Sequence, residues 1–317
     1  MAGARDIIQE IAEVRERRRY GSAMAELPIR LHAIRNAFSQ VDSEQRELQR
    51  YFPVALVACL EGYFRMAIKD LIDFGEPYLS NAEKPANALK FDFTVMRAIH
   101  GKSITFGELI AHGTPISRLE HIDSILSTLV GKSFLTSLRT VEDRWAQEVH
   151  GMLPEPILSD PDAVFKGVSR AFELRHIICH EIASAYEITS AEVADCLESC
   201  MFFLKAADEF ISETMHPNAP LSQSEMNIAA SEENAQKMEE LEAAISEFRQ
   251  KINEAERAEF DVTQNKWNEY RSTWANFAAD LNAKGGTIWP IFFFEAQNSI
   301  IEHRKSEIAH WDRFNSN

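Results

Sequence analysis

The chain's 317 residues are enough for two domains, and a composition of 45% hydrophobic and 26% charged residues excludes a disordered protein. The net charge of −16 argues against a protein that coats nucleic acid, because such binding depends on cations that neutralise phosphates. This charge leaves room for a small basic site on an acidic body.

Helical periodicity dominates from the N-terminus onward, and runs of alternating β-branched residues are nearly absent, which predicts an all-α fold. Helices are predicted over residues 4–20, 24–50 and 52–74. The first of them ends in a cluster of arginines: Arg15, Arg17, Arg18 and Arg19. A solvated helix face is the favoured interpretation of this cluster, and contact with a nucleic-acid backbone is the alternative.

Several patterns predict a cytoplasmic protein without a membrane partner. No apolar run approaches the ~20 residues that a membrane helix needs. The stretch from Met1 to Glu10 lacks the apolar segment of a secretory signal. The four cysteines form no C-x-x-C pair and stand in apolar helical contexts, where thiols act as small hydrophobic groups.

Shorter helices separated by prolines and glycines are predicted between residues 75 and 160. The clearest of them runs from Ser117 to Leu129 and is followed by Gly131. Two longer helices are predicted over 161–186 and 190–214.

The helix predicted over 161–186 carries an arginine and, five residues later, a histidine: Arg175 and His180. Arginine pairs well with phosphate oxygens, and histidine exchanges protons near neutral pH. Positions five apart on a helix differ by about 140° and about 7.5 Å. We therefore expect the two side chains to line opposite sides of a groove, or to serve a site that a second subunit completes.

A zinc site is a weaker interpretation of the same segment. His176, Cys179 and His180 share one helical face, but no fourth ligand is evident. We predict neither a metal nor a cofactor.

The R-x4-H spacing and its context resemble HEPN domains (higher eukaryotes and prokaryotes nucleotide-binding), in the bacterial branch related to the RiboL-PSP group. The resemblance covers residues 52–214. It depends on the run from Ala58 to Phe64, in which an acidic residue precedes aromatic ones, and on Phe172 to His176, where a polar residue follows the arginine. A longer variant of the motif has a tyrosine two residues after the histidine, where this chain has Ile182.

The HEPN resemblance implies an up-and-down helical bundle and a homodimer in which two motifs face each other. Active members are metal-independent endoribonucleases that leave a 2′,3′-cyclic phosphate and a 5′-hydroxyl. The resemblance assigns Arg175 to phosphate stabilisation, His180 to proton transfer, His176 to a supporting polar role and Glu61 to orientation. It implies an RNA substrate and a toxin or anti-phage effector that an antitoxin or another protein regulates. A HEPN scaffold that binds a nucleotide or protein without cleavage is the alternative.

The predicted domains are a HEPN-like domain over residues 1–215, a linker over 216–235 and a helical hairpin or small bundle over 236–317. The last resembles the lysozyme-inhibitor LprI-like module through Gln264 to Arg271, which reads Q-x-x-W-x-x-Y-R. Typical members are exported and have cysteines in both helices, whereas the corresponding stretches here have none. The resemblance implies a role in protein interaction, dimer support or control of the HEPN site.

Overall fold

A computed structural model of the chain describes residues 7–17, 23–42, 44–87, 89, 92–101, 103–181 and 185–315. Across these ranges the regular structure is helical, with a single isolated β-bridge between Glu142 and Pro156. The predicted all-α fold is confirmed. The chain divides into two compact units, which we call unit 1 (Met1–Asn218) and unit 2 (Ala219–Asn317).

Unit 1 combines a few long helices with many short ones. In chain order they are α1 Ile7–Glu16, α2 Ala23–Gln40, α3 Arg46–Phe74, α4 Tyr78–Asn81, α5 Glu83–Ala86, α6 Phe93–His100, α7 Phe106–Gly113, α8 Leu119–Val130, α9 Phe134–Leu138, α10 Arg144–Glu148, α11 Pro161–His180 and α12 Ser190–Met215.

The predicted helix over 24–50 is wrong, because the structure has two helices there, α2 and α3. The Asp42 side chain accepts a hydrogen bond of 3.0 Å from the backbone N–H of Glu44. Such a local turn competes with the helical hydrogen-bond pattern and separates the two helices.

Of the helix predicted over 4–20, the structure describes residues 7–17, which form α1 and the following Arg17. Arg15 forms an ion pair with Glu108, 2.5 Å apart, and Arg17 forms one with Glu13. Both described arginines of the N-terminal cluster therefore have carboxylate partners. Arg18 and Arg19 lie outside the described residues.

Helix α3 runs through the core of unit 1. Its Leu60, Phe64 and Ile68 are fully buried, and Phe64 contacts Phe134 and Phe203 with ring centroids 6.2 and 5.6 Å apart.

By length and composition α3 could cross a membrane, so the prediction that no apolar run reaches such a length is wrong. Because 61% of its most apolar window is buried in the fold, core packing accounts for this composition.

The cysteines of unit 1 divide by exposure. Cys59, Cys196 and Cys200 are buried, whereas Cys179 is exposed. Burial raises the pKa of the Cys196 thiol to about 11, which keeps it protonated at neutral pH. These three buried thiols therefore act as small hydrophobic groups, as predicted, whereas the same prediction is wrong for the exposed Cys179.

Helices α11 and α12 approach closely at Gly167. A Cβ atom there would lie 2.1 Å from Oγ and 2.5 Å from Cβ of Ser199. At Gly62 on α3, by contrast, nothing lies within 4 Å of such an atom. The two helical glycines thus differ in whether they have room for a side chain.

We expect Gly167→Ala to lower the free energy of unfolding by roughly 1–3 kcal/mol, because α11 and α12 must move apart. Gly62→Ala is the matched control and should raise it by up to about 1 kcal/mol, since alanine favours a helix. Urea denaturation measures both. Equal changes in the free energy of unfolding for the two substitutions would contradict the close approach of α11 and α12 at Gly167.

A carboxylate with an unusual pKa lies on α12, beside α3. Burial raises the pKa of Asp208 to about 6, although its 3.0 Å hydrogen bond from the Tyr63 hydroxyl opposes the rise. The ionised carboxylate therefore destabilises the folded state. This cost is fully present above the folded pKa and disappears as the pH falls towards the unfolded value of about 4.

We expect Asp208→Asn to raise the free energy of unfolding at pH 7.5 by roughly 1–3 kcal/mol. The amide oxygen still accepts from Tyr63 but carries no charge. Denaturation curves between pH 4 and 7.5 should show the gain shrinking as the pH falls. A gain that is constant with pH, or a loss at pH 7.5, would contradict the raised pKa.

Unit 2 consists of α13 Gln223–Lys251, α14 Glu254–Ala283 and α15 Trp289–Asn315. Helix α15 packs against both of the others, and Leu241, Ile301 and Ile308 form the buried core. The structure thus has three long helices where a hairpin or small bundle was predicted.

The predicted linker over 216–235 is wrong in its second part, because α13 begins at Gln223. Ser222 and Glu225 form a capping box, in which each side chain accepts from the other residue's backbone N–H. Pro217 and Pro220 favour a linker, but this stretch ends where the cap at Ser222 begins the helix.

Candidate functional site

Helix α11 positions the predicted site residues and has well-defined ends. It begins with Asp160, whose side chain accepts from the backbone N–H of Ala163, and with Pro161 in the first turn. It ends at His180, so the predicted end at 186 is wrong. His180 is therefore the last helical residue. Ile182, where the longer HEPN motif has tyrosine, lies outside the described residues.

Arg175 and His180 are in contact within one chain. Nη1 of Arg175 lies 3.3 Å from Nε2 of His180. The expectation that the pair would line opposite sides of a groove is wrong, because the long arginine side chain reaches across the last turn of α11. A single chain therefore brings a guanidinium and an imidazole together.

This contact has a chemical consequence for the pair. Arginine has donors and no acceptor, so a hydrogen bond between the two side chains requires Nε2 of His180 to accept with its lone pair. The same lone pair can take a proton from a hydroxyl group once the arginine binds another acceptor.

Glu61 on α3 faces the same arginine. Its Oε1 lies 3.8 Å from Nη2 of Arg175, and the two side chains are 23% and 33% exposed. Because α3 packs against α11, the carboxylate approaches the guanidinium from the neighbouring helix. The structure thus brings Glu61, Arg175 and His180 together, with the arginine in the middle.

His176 adjoins the pair, and it has an acidic neighbour, Glu181, that the motif did not predict. Its ring centroid lies 5.2 Å from that of His180, and its Nε2 lies 3.9 Å from Oε1 of Glu181. The sequence contains a pattern that could have predicted this contact, since His176 and Glu181 repeat the five-residue spacing of Arg175 and His180. Both pairs meet at the C-terminal end of α11.

A cavity of about 460 Å³ lies between α11 and α12, away from the Arg175–His180 pair. Arg170 is on its wall and is held by Glu192, at 2.7 Å, and by Glu173, at 2.6 Å. These carboxylates raise the pKa of Arg170 further above its ordinary range. Because its charge is already matched, Arg170 is a structural residue. The half-buried Arg175 and the exposed His180 lie outside this cavity, at the end of α11.

Metal ligation has no structural support in the described part of the chain. No group of three or more His, Cys, Asp or Glu side chains there is arranged to hold a metal ion. The zinc triad considered for His176, Cys179 and His180 is thus not assembled within those residues.

Fold and site together describe an all-α protein of two helical units, the first with an arginine–histidine pair at an exposed helix end. Residues 216–308 match the family model described as "Lysozyme inhibitor LprI". This confirms the predicted resemblance of the C-terminal part, with a match that begins at 216 rather than 236. No curated protein and no solved structure matches the chain significantly.

Proposed function

We propose that unit 1 is a metal-independent endoribonuclease of the HEPN type. The observation that supports this most strongly is the 3.3 Å contact between Arg175 and His180 at an exposed helix end, with Glu61 beside the arginine. A permanent cation next to a histidine, which can accept a proton near neutral pH, suits cleavage of a phosphodiester through its own 2′-hydroxyl.

In this mechanism Arg175 binds the scissile phosphate. Its planar guanidinium donates two parallel hydrogen bonds to phosphate oxygens and neutralises the charge that grows on the phosphorane. Glu61 holds the guanidinium from the other side and acts as a positioning residue. Once the phosphate engages Arg175, Nε2 of His180 is released from its contact with the arginine.

His180 moves the proton. Its Nε2 accepts the proton of the ribose 2′-hydroxyl as the oxygen attacks phosphorus, and the bond from phosphorus to the 5′-oxygen breaks. The products are a 2′,3′-cyclic phosphate and a 5′-hydroxyl. His176 supports the imidazole of His180 as a neighbouring polar group.

A homodimer completes this proposal. The pair of one chain lies on an open surface, whereas an RNA strand in a cleft is shielded from water and held in line for attack. A second copy that presents its own Arg175 and a protonated His180 would form such a cleft, and that imidazolium would give its proton to the leaving 5′-oxygen.

The proposed biological setting is that of a cytoplasmic toxin or anti-phage effector under control of an antitoxin or another regulatory protein. Unit 2 is the module for such control. The family it matches is described as an inhibitor of lysozyme, which is a protein-binding activity. For this chain we propose protein binding alone.

The test compares an RNA oligonucleotide with its all-2′-deoxy counterpart, incubated with the purified full-length chain in the presence of a metal chelator. We expect cleavage of the RNA and none of the deoxy strand, because the latter lacks the attacking hydroxyl. Retention of bound, intact RNA under these conditions would favour the non-catalytic HEPN scaffold instead.

A further inference from the structure

A row of large apolar side chains lies exposed along α14. We call it the α14 stripe; it consists of Val262 (56% exposed), Tyr270 (54%), Trp274 (46%), Phe277 (56%) and Leu281 (74%). Soluble proteins rarely leave a group of large apolar side chains of this size uncovered unless it binds something.

The α14 stripe is distinct from the face of α14 that packs in unit 2. That packed face carries Ala275 and Ala279, both fully buried, and Trp267, which joins the core with α13 and α15. On the α14 stripe, Tyr270 stacks on Trp274 and Trp274 contacts Phe277, with ring centroids 6.5 and 5.7 Å apart. From Tyr270 onward its members recur at steps of four, three and four residues, and Val262 lies two four-residue steps before Tyr270, which is the spacing of a helix that packs against another helix.

The charges at the two ends of the α14 stripe have opposite signs. Glu259 lies one turn before it, and Lys284 lies one turn after it. The Lys284 side chain is 79% exposed, and its Nζ lies 3.6 Å from an Asp280 carboxylate oxygen. Lys266 lies between them on the same face. Among the described residues, neither Glu259 nor Lys266 has an ion-pair partner. An acidic start and a basic end complement a second helix of the same sequence that runs in the opposite direction.

We propose that the α14 stripe docks on the α14 stripe of a second copy of this chain, with the two helices antiparallel. A two-fold axis between Tyr270 and Trp274 places their rings at the centre of the contact. Glu259 of each copy then lies opposite Lys284 of the other. Lys266 lies beside the ring of Phe277, where a cation–π contact forms.

The size of the patch sets the strength of this contact. Three half-exposed aromatic rings and two aliphatic side chains present on the order of 500 Å² per copy. The total area that both copies would bury is twice this value, which is about the minimum of a specific interface. Two copies of unit 2 therefore associate weakly. The contact lies wholly in unit 2 and does not depend on the ribonuclease proposal.

The test is disulfide formation between two single-cysteine variants of the full-length chain, Val262→Cys and Leu281→Cys, each in a Cys179→Ser background. Both positions are more than half exposed, so the substitutions leave the fold intact, as circular dichroism will verify. In the antiparallel arrangement, position 262 lies opposite position 281 of the other copy. With tags of different size, we expect a mixed disulfide in the mixture and at least tenfold less when either variant is oxidised alone.

Two outcomes would overturn this inference. A Val262→Cys disulfide that forms without the other variant would show a parallel contact, and an unlinked mixture at high chain concentration would show no contact. Trp274→Glu in both chains should reduce the mixed disulfide at least tenfold. Ile228→Glu, at an equally exposed apolar position on α13, should leave it unchanged.

Discussion

Replacement of His180 by alanine is expected to lower the rate of RNA cleavage by about 10²–10⁴-fold, the usual contribution of a general acid–base group. The effect should appear in kcat, because His180 moves a proton and does not carry the binding charge. The fold should be unaffected, since the side chain is exposed and, within the described part of the chain, its hydrogen-bond contact is with Arg175 alone. Single-turnover cleavage of a labelled RNA measures the rate.

His303→Ala is the matched control for this experiment. His303 is also an exposed histidine on a long helix, and its Nδ1 lies 3.1 Å from the Ser299 carbonyl oxygen one turn earlier. We expect cleavage at the normal rate for this variant. Equal losses in the two variants, or an unchanged rate in His180→Ala, would exclude the proton-transfer role of His180.

The second large effect is expected for Arg175→Lys, which keeps the charge and removes the planar fork. A lysine ammonium cannot donate two parallel hydrogen bonds to phosphate, so kcat should fall by about 10²-fold with a smaller change in KM. Arg139→Lys is the control, because Arg139 is a surface cation of unit 1 that pairs with Asp162. That variant should cleave RNA at the normal rate.

A double-mutant comparison tests the role of Glu61. If Glu61 acts by orienting the guanidinium, Glu61→Gln should slow cleavage in the natural background and add little when Arg175 is already lysine. Independent, multiplicative losses would show that Glu61 has a role of its own. Loss of activity through unfolding is separable, because a thermal melt would reveal it in each variant.

The sequence predicted the helices that carry the site better than the arrangement of the side chains. Apolar periodicity located α11, and the run around Glu61 located the part of α3 that faces it. The contact between Arg175 and His180 was missed because backbone geometry alone places positions five apart on different faces. Side-chain length and the end of α11 at His180 decide the contact, and neither follows from helical periodicity.

Local hydrogen bonds explain the other differences. The break between α2 and α3 depends on a turn made by the Asp42 side chain, and the early start of α13 depends on the capping box at Ser222. Both residues were visible in the sequence, within longer patterns that favoured a different boundary. The exposure of the α14 stripe was not predictable, because its aromatic spacing resembles that of a packed helix until the buried face is known.

The most direct measurement is the chemical identity of the RNA ends that the full-length chain leaves in the presence of a metal chelator, with His180→Ala purified in parallel. We predict a 2′,3′-cyclic phosphate and a 5′-hydroxyl from the natural chain, and intact RNA from the variant. Product ends with a 3′-hydroxyl and a 5′-phosphate, or equal cleavage by His180→Ala, would contradict the assignment of Arg175 and His180 as the catalytic pair.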